Sequence, residues 1–233
     1  VQNICDAPLR ATSYGERYNG ALGAEEDPFP ASYTNARSTL KFNPGTWPTI
    51  STGWEGFLGP ANIGIALRTV VDTALICGLS YDPITGLAMY CRPRVIGSEA
   101  TAFLSGTDVT YGGVFNDDLP YTGHVETGLF LEQDTEYWLT AEITNFDVTV
   151  GFWTADPELG GSPEVVGTVT IVSAYYQGMF EGPKKTGLAT YTPMSPHARL
   201  LSFYTVEIEV PEPPPLPYSE VIMLLEKGYH VYT

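Results

Sequence analysis

Apolar and polar positions from residue 61 onward follow the two-residue period of β-strands. Ile63, Ile65 and Leu67 alternate with Gly64 and Ala66. The stretch 69–79 is β-branched and apolar almost throughout, the pattern of a strand buried on both faces. A helix over 61–76 competes, because Ile63, Leu67, Val70 and Ala74 share a helical face. Thr69, Val70, Val71 and Thr73 are stiff at χ1 and favour the strand. Residues 87–95 return as its hairpin partner. Further short runs follow at 100–104, 109–111, 125–131, 137–143, 147–153, 165–176 and 200–210, the spacing of a sandwich. Two of them alternate cleanly. Phe146, Val148, Val150 and Phe152 face one side; Val206, Ile208 and Val210 face in while Glu207 and Glu209 face out. The expected core includes Val148, Val150, Phe152, Val169, Ile171, Val206 and Ile208. No internal repeat and no heptad interrupts this pattern. The prediction is an all-β chain whose body, residues 61–210, is a jelly-roll-like β-sandwich.

The flanks differ in kind. Residues 1–60 are broken every few positions by turn formers, among them Asn19-Gly20, Asp27-Pro28, Asn43-Pro44 and Trp47-Pro48. Between the breaks lie eight aromatics, including Tyr14, Phe42, Trp47 and Trp54. That is too many for a disordered segment, so the region reads as a loop-rich N-terminal arm packed on its own sandwich or on a neighbour. At the other end the proline cluster 210–217 is a stiff polyproline II spacer. Beyond it, 218–233 carries Tyr218, Val221, Ile222, Met223, Leu224 and Leu225. This piece is too short to bury itself, so 211–233 reads as a tether and docking tail. The expected partner-binding residues are Trp47, Trp54, Tyr218, Val221, Ile222, Leu224 and Leu225.

Composition agrees with a β-protein rich in loops: 24 Gly, 19 Pro and 15 Tyr accompany only 16% charged residues. The formal net charge of −16 repels phosphate backbones and excludes nucleic acid as a partner. Three cysteines, Cys5, Cys77 and Cys91, make no full disulfide framework. Cys77 and Cys91 flank the turn sequence at 81–86, and a loop over 82–86 places them opposite each other. Reduced thiols are the expectation, with a cross-strand disulfide as the alternative. No stretch near the start has the basic, apolar, small-residue order of a signal peptide. No apolar run reaches the length of a membrane span.

Candidate chemistry is sparse. Residues 128–139 form a strand, a short acidic loop and an aromatic-led strand. This segment resembles the closing hairpin of jelly-roll and carbohydrate-binding-module sandwiches, a resemblance that concerns fold and carries no binding residue. Glu132, Asp134 and Glu136 offer oxygens in that loop, but Ca²⁺ needs six to eight ligands in an enclosing geometry, so a solvated acidic turn is expected. His124, His197 and His230 lie far apart in sequence, with no metal-pair spacing. His124-Val-Glu126 lacks the Pro-Cys-x-x-Cys of a zinc deaminase. Asp117 and Asp118 approach His124 in sequence, yet no nucleophile elbow accompanies them. Tyr111-Gly-Gly113 and Gly160-Gly-Ser162 read as turns or bulges, not phosphate loops. Trp47, Trp54, Trp138, Trp153, Tyr175 and Tyr176 would stack on sugars if they shared one exposed side of the sandwich.

The favoured reading is a non-enzymatic structural subunit without cofactor or metal. An aromatic arm, a sandwich and a proline-tethered tail resemble, in layout, the accessory proteins of tailed-phage virions: decoration, fibre or tail subunits. That resemblance implies a virion location after assembly in a host cytoplasm, homo-oligomeric contacts, a second structural protein as partner and no membrane. The alternatives are a carbohydrate- or receptor-binding sandwich, secreted or extracellular with a surface glycan as partner, and a β-rich hydrolase.

Burying one branched aliphatic of the tail stabilises by about 1.5–3 kcal/mol, while ordering each backbone residue costs about 1–2 kcal/mol. The tail must therefore add backbone hydrogen bonds, as a strand on a sheet edge does. Deleting residues 211–233 is expected to leave a folded, soluble body that no longer assembles, which light scattering would detect. Assembly equal to that of the full chain would make the tail a passive extension.

Overall fold

A computed structural model describes residues 7–8, 32–44, 60–70, 73–82, 86–95, 109–113, 115, 124–194 and 199–209. In chain order the strands are β1 (Ala7–Pro8), β2 (Ser32–Tyr33), β3 (Ala36–Asn43), β4 (Pro60–Val70), β5 (Thr73–Asp82), β6 (Gly86–Val95) and β7 (Val109–Gly113). They continue as β8 (His124–Glu126), β9 (Tyr137–Thr144), β10 (Asp147–Trp153), β11 (Val165–Ile171), β12 (Lys184–Met194) and β13 (Arg199–Glu207). One short helix, α1 (Ala174–Phe180), follows β11. The strands form a seven-stranded sheet, β1-β13-β3-β9-β10-β11-β7, and a six-stranded sheet, β2-β12-β4-β5-β6-β8. Every pairing is antiparallel. The all-β sandwich expected from the sequence is the fold.

The core lies between the sheets and is built from the inward positions of alternating strand residues. In the seven-stranded sheet Leu40, Phe42, Leu139, Val150, Phe152 and Phe203 point inward; Ile63, Ile65, Leu75, Leu79, Leu87 and Met89 meet them from the six-stranded sheet. Phe115 lies against Gly167, where an added Cβ would sit 2.0 Å from the ring. A hydroxyl chain also crosses the interior. Thr205 bonds both Ser38 in its own sheet and Thr186 in the other, each at 2.8 Å. Buried Arg68 caps the carbonyls of Tyr33, Thr34 and Gly182 with its guanidinium, fastening the entry to β3. Burial lowers its pKa from the usual value.

Val148, Val150, Phe152, Val169 and Ile171 are buried as expected. Val206 and Ile208 are only half-buried, while Glu207 and Glu209 are exposed. The reason is phase: Phe203 and Thr205 take the inward positions of β13, opposite Leu40 and Ser38, so Val206 falls opposite Arg37 on the other face. The expected two-faced burial of 69–79 holds across β5, where Leu75, Cys77 and Leu79 join the main core. Ala74 and Ile76 join a second buried cluster with Ala66 and Tyr90.

Several boundaries need correction. The run 69–79 is not one strand: β4 ends at Val70, which pairs with Thr73 of β5. The run 165–176 is strand only to Ile171. Ser173 then stands as helix N-cap, and the Gln177 amide bonds its carbonyl at 2.9 Å. The segment 36–43, expected inside the loop-rich arm, is β3, flanked by β13 and β9 within the seven-stranded sheet. β12 matches no expected run. The run 125–131 is strand only to Glu126, after which Thr127 and Leu129 bond the backbone of Leu87. Residues 100–104 and 211–233 lie outside the described ones, as does most of the arm. Among the described residues no helix is long and apolar enough to cross a membrane.

Cys77 and Cys91 pair directly across β5 and β6, as the turn sequence predicts. Both are free thiols, fully buried, with Sγ atoms 3.3 Å apart. Burial first, then the hydrogen bond and charge of Cys91, pushes the Cys77 thiol well above its ordinary range. The thiolate is the reactive form. Cys77 of the folded protein should therefore resist iodoacetamide through the pH range near 8.5 where ordinary thiols ionise. Unfolded without reductant, the protein should show three modified cysteines by mass spectrometry. One modified cysteine would reveal a disulfide in their place.

Candidate functional site

The outward positions of the seven-stranded sheet carry the chemistry. Because Phe42, Tyr137 and Phe152 point in, their neighbours Lys41, Trp138 and Trp153 point out. The register sets these three in one row across β3, β9 and β10: Lys41 opposite Trp138, and Trp138 opposite Trp153. Both indoles are half-buried. Lys41 Nζ stands 5.1 Å from the centroid of the Trp138 ring and 2.7 Å from Glu136. A cation over an indole face is attracted by the ring quadrupole.

Trp153 is fixed by what lies beneath it. Its Nε1 donates to Thr140 Oγ1 at 2.9 Å. Gly151 supplies the room: a Cβ there would sit 2.8 Å from Thr140 Oγ1 and 2.9 Å from Trp153 Nε1. One of the two glycine pairs of the sequence lies near this face. Gly160 and Gly161 both have positive φ, 86° and 115°, in the connection from β10 to β11.

That connection reaches over the same face. Asp156 accepts from the Glu158 amide at 3.0 Å and starts a single 3-10 turn, Pro157–Leu159. The turn delivers Glu158 to strands far from its own. Its Oε1 accepts from Arg37 Nη2 on β3 and from the Tyr204 hydroxyl on β13, each at 2.8 Å. On the return, Thr154 donates to Glu164 at 2.7 Å and the Glu164 amide bonds the Phe152 carbonyl. Burial pushes the Tyr204 hydroxyl above its ordinary range; a hydrogen bond with Thr39 opposes this, and the bond and charge of Glu158 add to it.

Of the aromatics that the sequence singled out, the fold brings Trp138 and Trp153 together on this face. It sends Tyr175 and Tyr176 to α1, where they meet edge to face at 5.1 Å and Tyr176 stacks on Phe180. Trp47, Trp54, Tyr218, Val221, Ile222, Leu224 and Leu225 lie outside the described residues. Glu132, Asp134 and Glu136 are exposed, with Asp134 in a left-handed turn, φ 54°, and Glu136 paired with Lys41. Among the described residues no three His, Cys, Asp or Glu lie close enough to hold a metal. His124 begins the edge strand β8 opposite Tyr90; Asp117, Asp118, His197 and His230 are not described. Arg37, Lys41, Thr140, Glu158 and Tyr204 were not anticipated. Arg37 and Lys41 had a signal, the alternation of 36–43, but the turn formers on either side masked it.

No protein-family model and no curated protein matches the chain. Solved structures do. The VIP36 exoplasmic/lumenal domain in its Ca²⁺/Man3GlcNAc-bound form superposes with a TM-score of 0.52 at 11% identity, covering 94% of this chain and 89% of that one. The Caenorhabditis elegans galectin LEC-6 gives 0.39 at 9%, covering 84% and 99%. The CBM2 module of the evolved Dit of Lactobacillus casei BL23 phage J-1 gives 0.40 at 11%, covering 88% and 94%. The VIP36 likeness shows a shared sandwich fold.

Replacing Glu158 by Gln removes the charge that opposes Tyr204 ionisation. The Tyr204 pKa should then fall toward the ordinary tyrosine value, followed by NMR of tyrosine ring carbons. In the native protein the raised pKa makes Tyr204 a source of stability below about pH 10 that is lost as pH rises through its folded value. An unchanged Tyr204 titration in the variant would show that Glu158 does not reach it in solution.

Proposed function

We propose that the protein is a non-enzymatic carbohydrate-binding module that takes its ligand on the outer face of the seven-stranded sheet. The observation that carries this reading is the cross-strand pair Trp138 and Trp153, held beside Lys41 and Thr140, with Arg37, Glu158 and Tyr204 farther along the same face. Sugars present an apolar ring face and a rim of hydroxyls. A site for them needs aromatic surface next to charged and hydroxyl-bearing groups at fixed positions. This face has both, on paired strands and on the 3-10 turn that carries Glu158. The fold is also that of VIP36, a protein solved with Man3GlcNAc bound, which supports the same class of ligand. A surface glycan is thus the proposed partner. A role as subunit of a larger assembly, in a virion or elsewhere, rests on the arm and the tail and remains a separate proposal.

Isothermal titration against a panel of oligosaccharides tests the reading. Trp153→Ala and Trp138→Ala should each weaken binding by about 2 kcal/mol, roughly thirtyfold, as truncation of an aromatic anchor does. Both residues are only half-buried, so far-UV circular dichroism should stay native. Wild-type protein that binds no member of the panel, or variants that bind as wild type does, would refute the site.

A further inference from the structure

We infer that the connection 154–163 selects the ligand: through Glu158 and its partner Arg37 it favours neutral glycans with adjacent hydroxyls over acidic ones. This rests on the reading of the tryptophan face as a sugar site. Three observations carry it.

Glu158 is the first. Its Oε1 holds both Arg37 and Tyr204, while Oε2 has no bond among the described residues. The side chain of Glu158 is 47% exposed and that of Arg37 38% exposed, so each can meet a ligand. A carboxylate only accepts hydrogen bonds and a guanidinium only donates them. Two neighbouring hydroxyls satisfy such a pair together, one donating to Glu158 Oε2 and the other accepting from Arg37. An acidic sugar presents a carboxylate or sulfate, which has nothing to donate to Glu158 and would be repelled by it.

Charge balance is the second. Among the described side chains of this face two cations, Arg37 and Lys41, are each paired: Arg37 with Glu158 at 2.8 Å and Lys41 with Glu136 at 2.7 Å. An anionic glycan would have to break one of these pairs and approach a chain of net charge −16.

Placement is the third. Arg37 and Lys41 occupy the same face of β3 four residues apart, about 13 Å at the rise of a strand. The Tyr204 position, opposite Thr39, lies midway. A ligand spanning the tryptophan row and the Arg37–Glu158 pair is thus an oligosaccharide rather than one sugar ring.

The protein is titrated with cello-, manno- and galacto-oligosaccharides and, in parallel, with oligogalacturonate. Wild type should bind at least one neutral series at least about tenfold more tightly than the acidic one. Glu158→Gln, which keeps the shape but loses the charge, should weaken that neutral ligand about tenfold, the effect of a lost charged hydrogen bond, and should narrow the gap to oligogalacturonate. Preference for oligogalacturonate overturns the inference even if no variant folds well. Loss of binding in Trp153→Ala with no change in Glu158→Gln leaves the sugar site standing and overturns this role of the connection. Failure of wild type to bind any series overturns both.

Discussion

The register of β3, β9 and β10 is the constraint on which both faces of the molecule depend. On the inner side Phe42, Tyr137 and Phe152 form an aromatic row, with Tyr137 6.0 Å from Phe42 and 5.4 Å from Phe152 between ring centroids. The outer row, Lys41, Trp138 and Trp153, is the same row displaced by one residue. A one-residue slip of β9 would drive Trp138 into the core and expose Tyr137. Burial of the inner aromatics therefore positions the outer indoles. Tyr137 adds a second restraint, because its hydroxyl accepts from the Glu132 amide at 2.8 Å and ties the acidic loop to the start of β9.

Electrostatics decides what such a face can receive. A chain this acidic keeps polyanions away at long range, yet its outer sheet is not a bare negative surface. Two of its cations, Lys41 and Arg37, are held by carboxylates delivered from loops, Glu136 from the β8–β9 side and Glu158 from the β10–β11 connection. Exposed pairs of this kind contribute little to stability. Their consequence is local: donors and acceptors stand side by side at fixed positions, next to indole surface.

Strands were legible where alternation was clean, above all at 147–153, and the opposition of Cys77 and Cys91 followed from counting across one turn. Elsewhere local signals misled. The junction after Val70 holds Val71 and a single turn former, Asp72, inside a β-branched run, so two strands read as one. At Ala174-Tyr175-Tyr176 β-favouring aromatics stand in a helix that tertiary packing of Phe180 supports. β3 was hidden between Asn35 and Asn43-Pro44. The site was half legible. Trp138 and Trp153 were visible as candidates, but their pairing depends on register, and Glu158 meets Arg37 across 121 residues of chain. No local pattern encodes a contact of that separation.

A shared fold leaves the site to be argued from its own residues, since at 11% identity the likeness to VIP36 concerns the sandwich and not its side chains. What argues for recognition here is rigidity before any ligand arrives. Trp153 lies over a glycine whose missing Cβ makes its position possible, and its indole N–H is already satisfied by Thr140. Trp138 stands on a strand paired on both sides. Glu158 is held by bonds from two separate strands. Side chains ordered in advance lose little freedom on binding, and that saving appears as affinity. A sheet whose outer face served only solubility would have no such need of a glycine floor beneath a tryptophan, or of a connection folded back to set a carboxylate against an arginine.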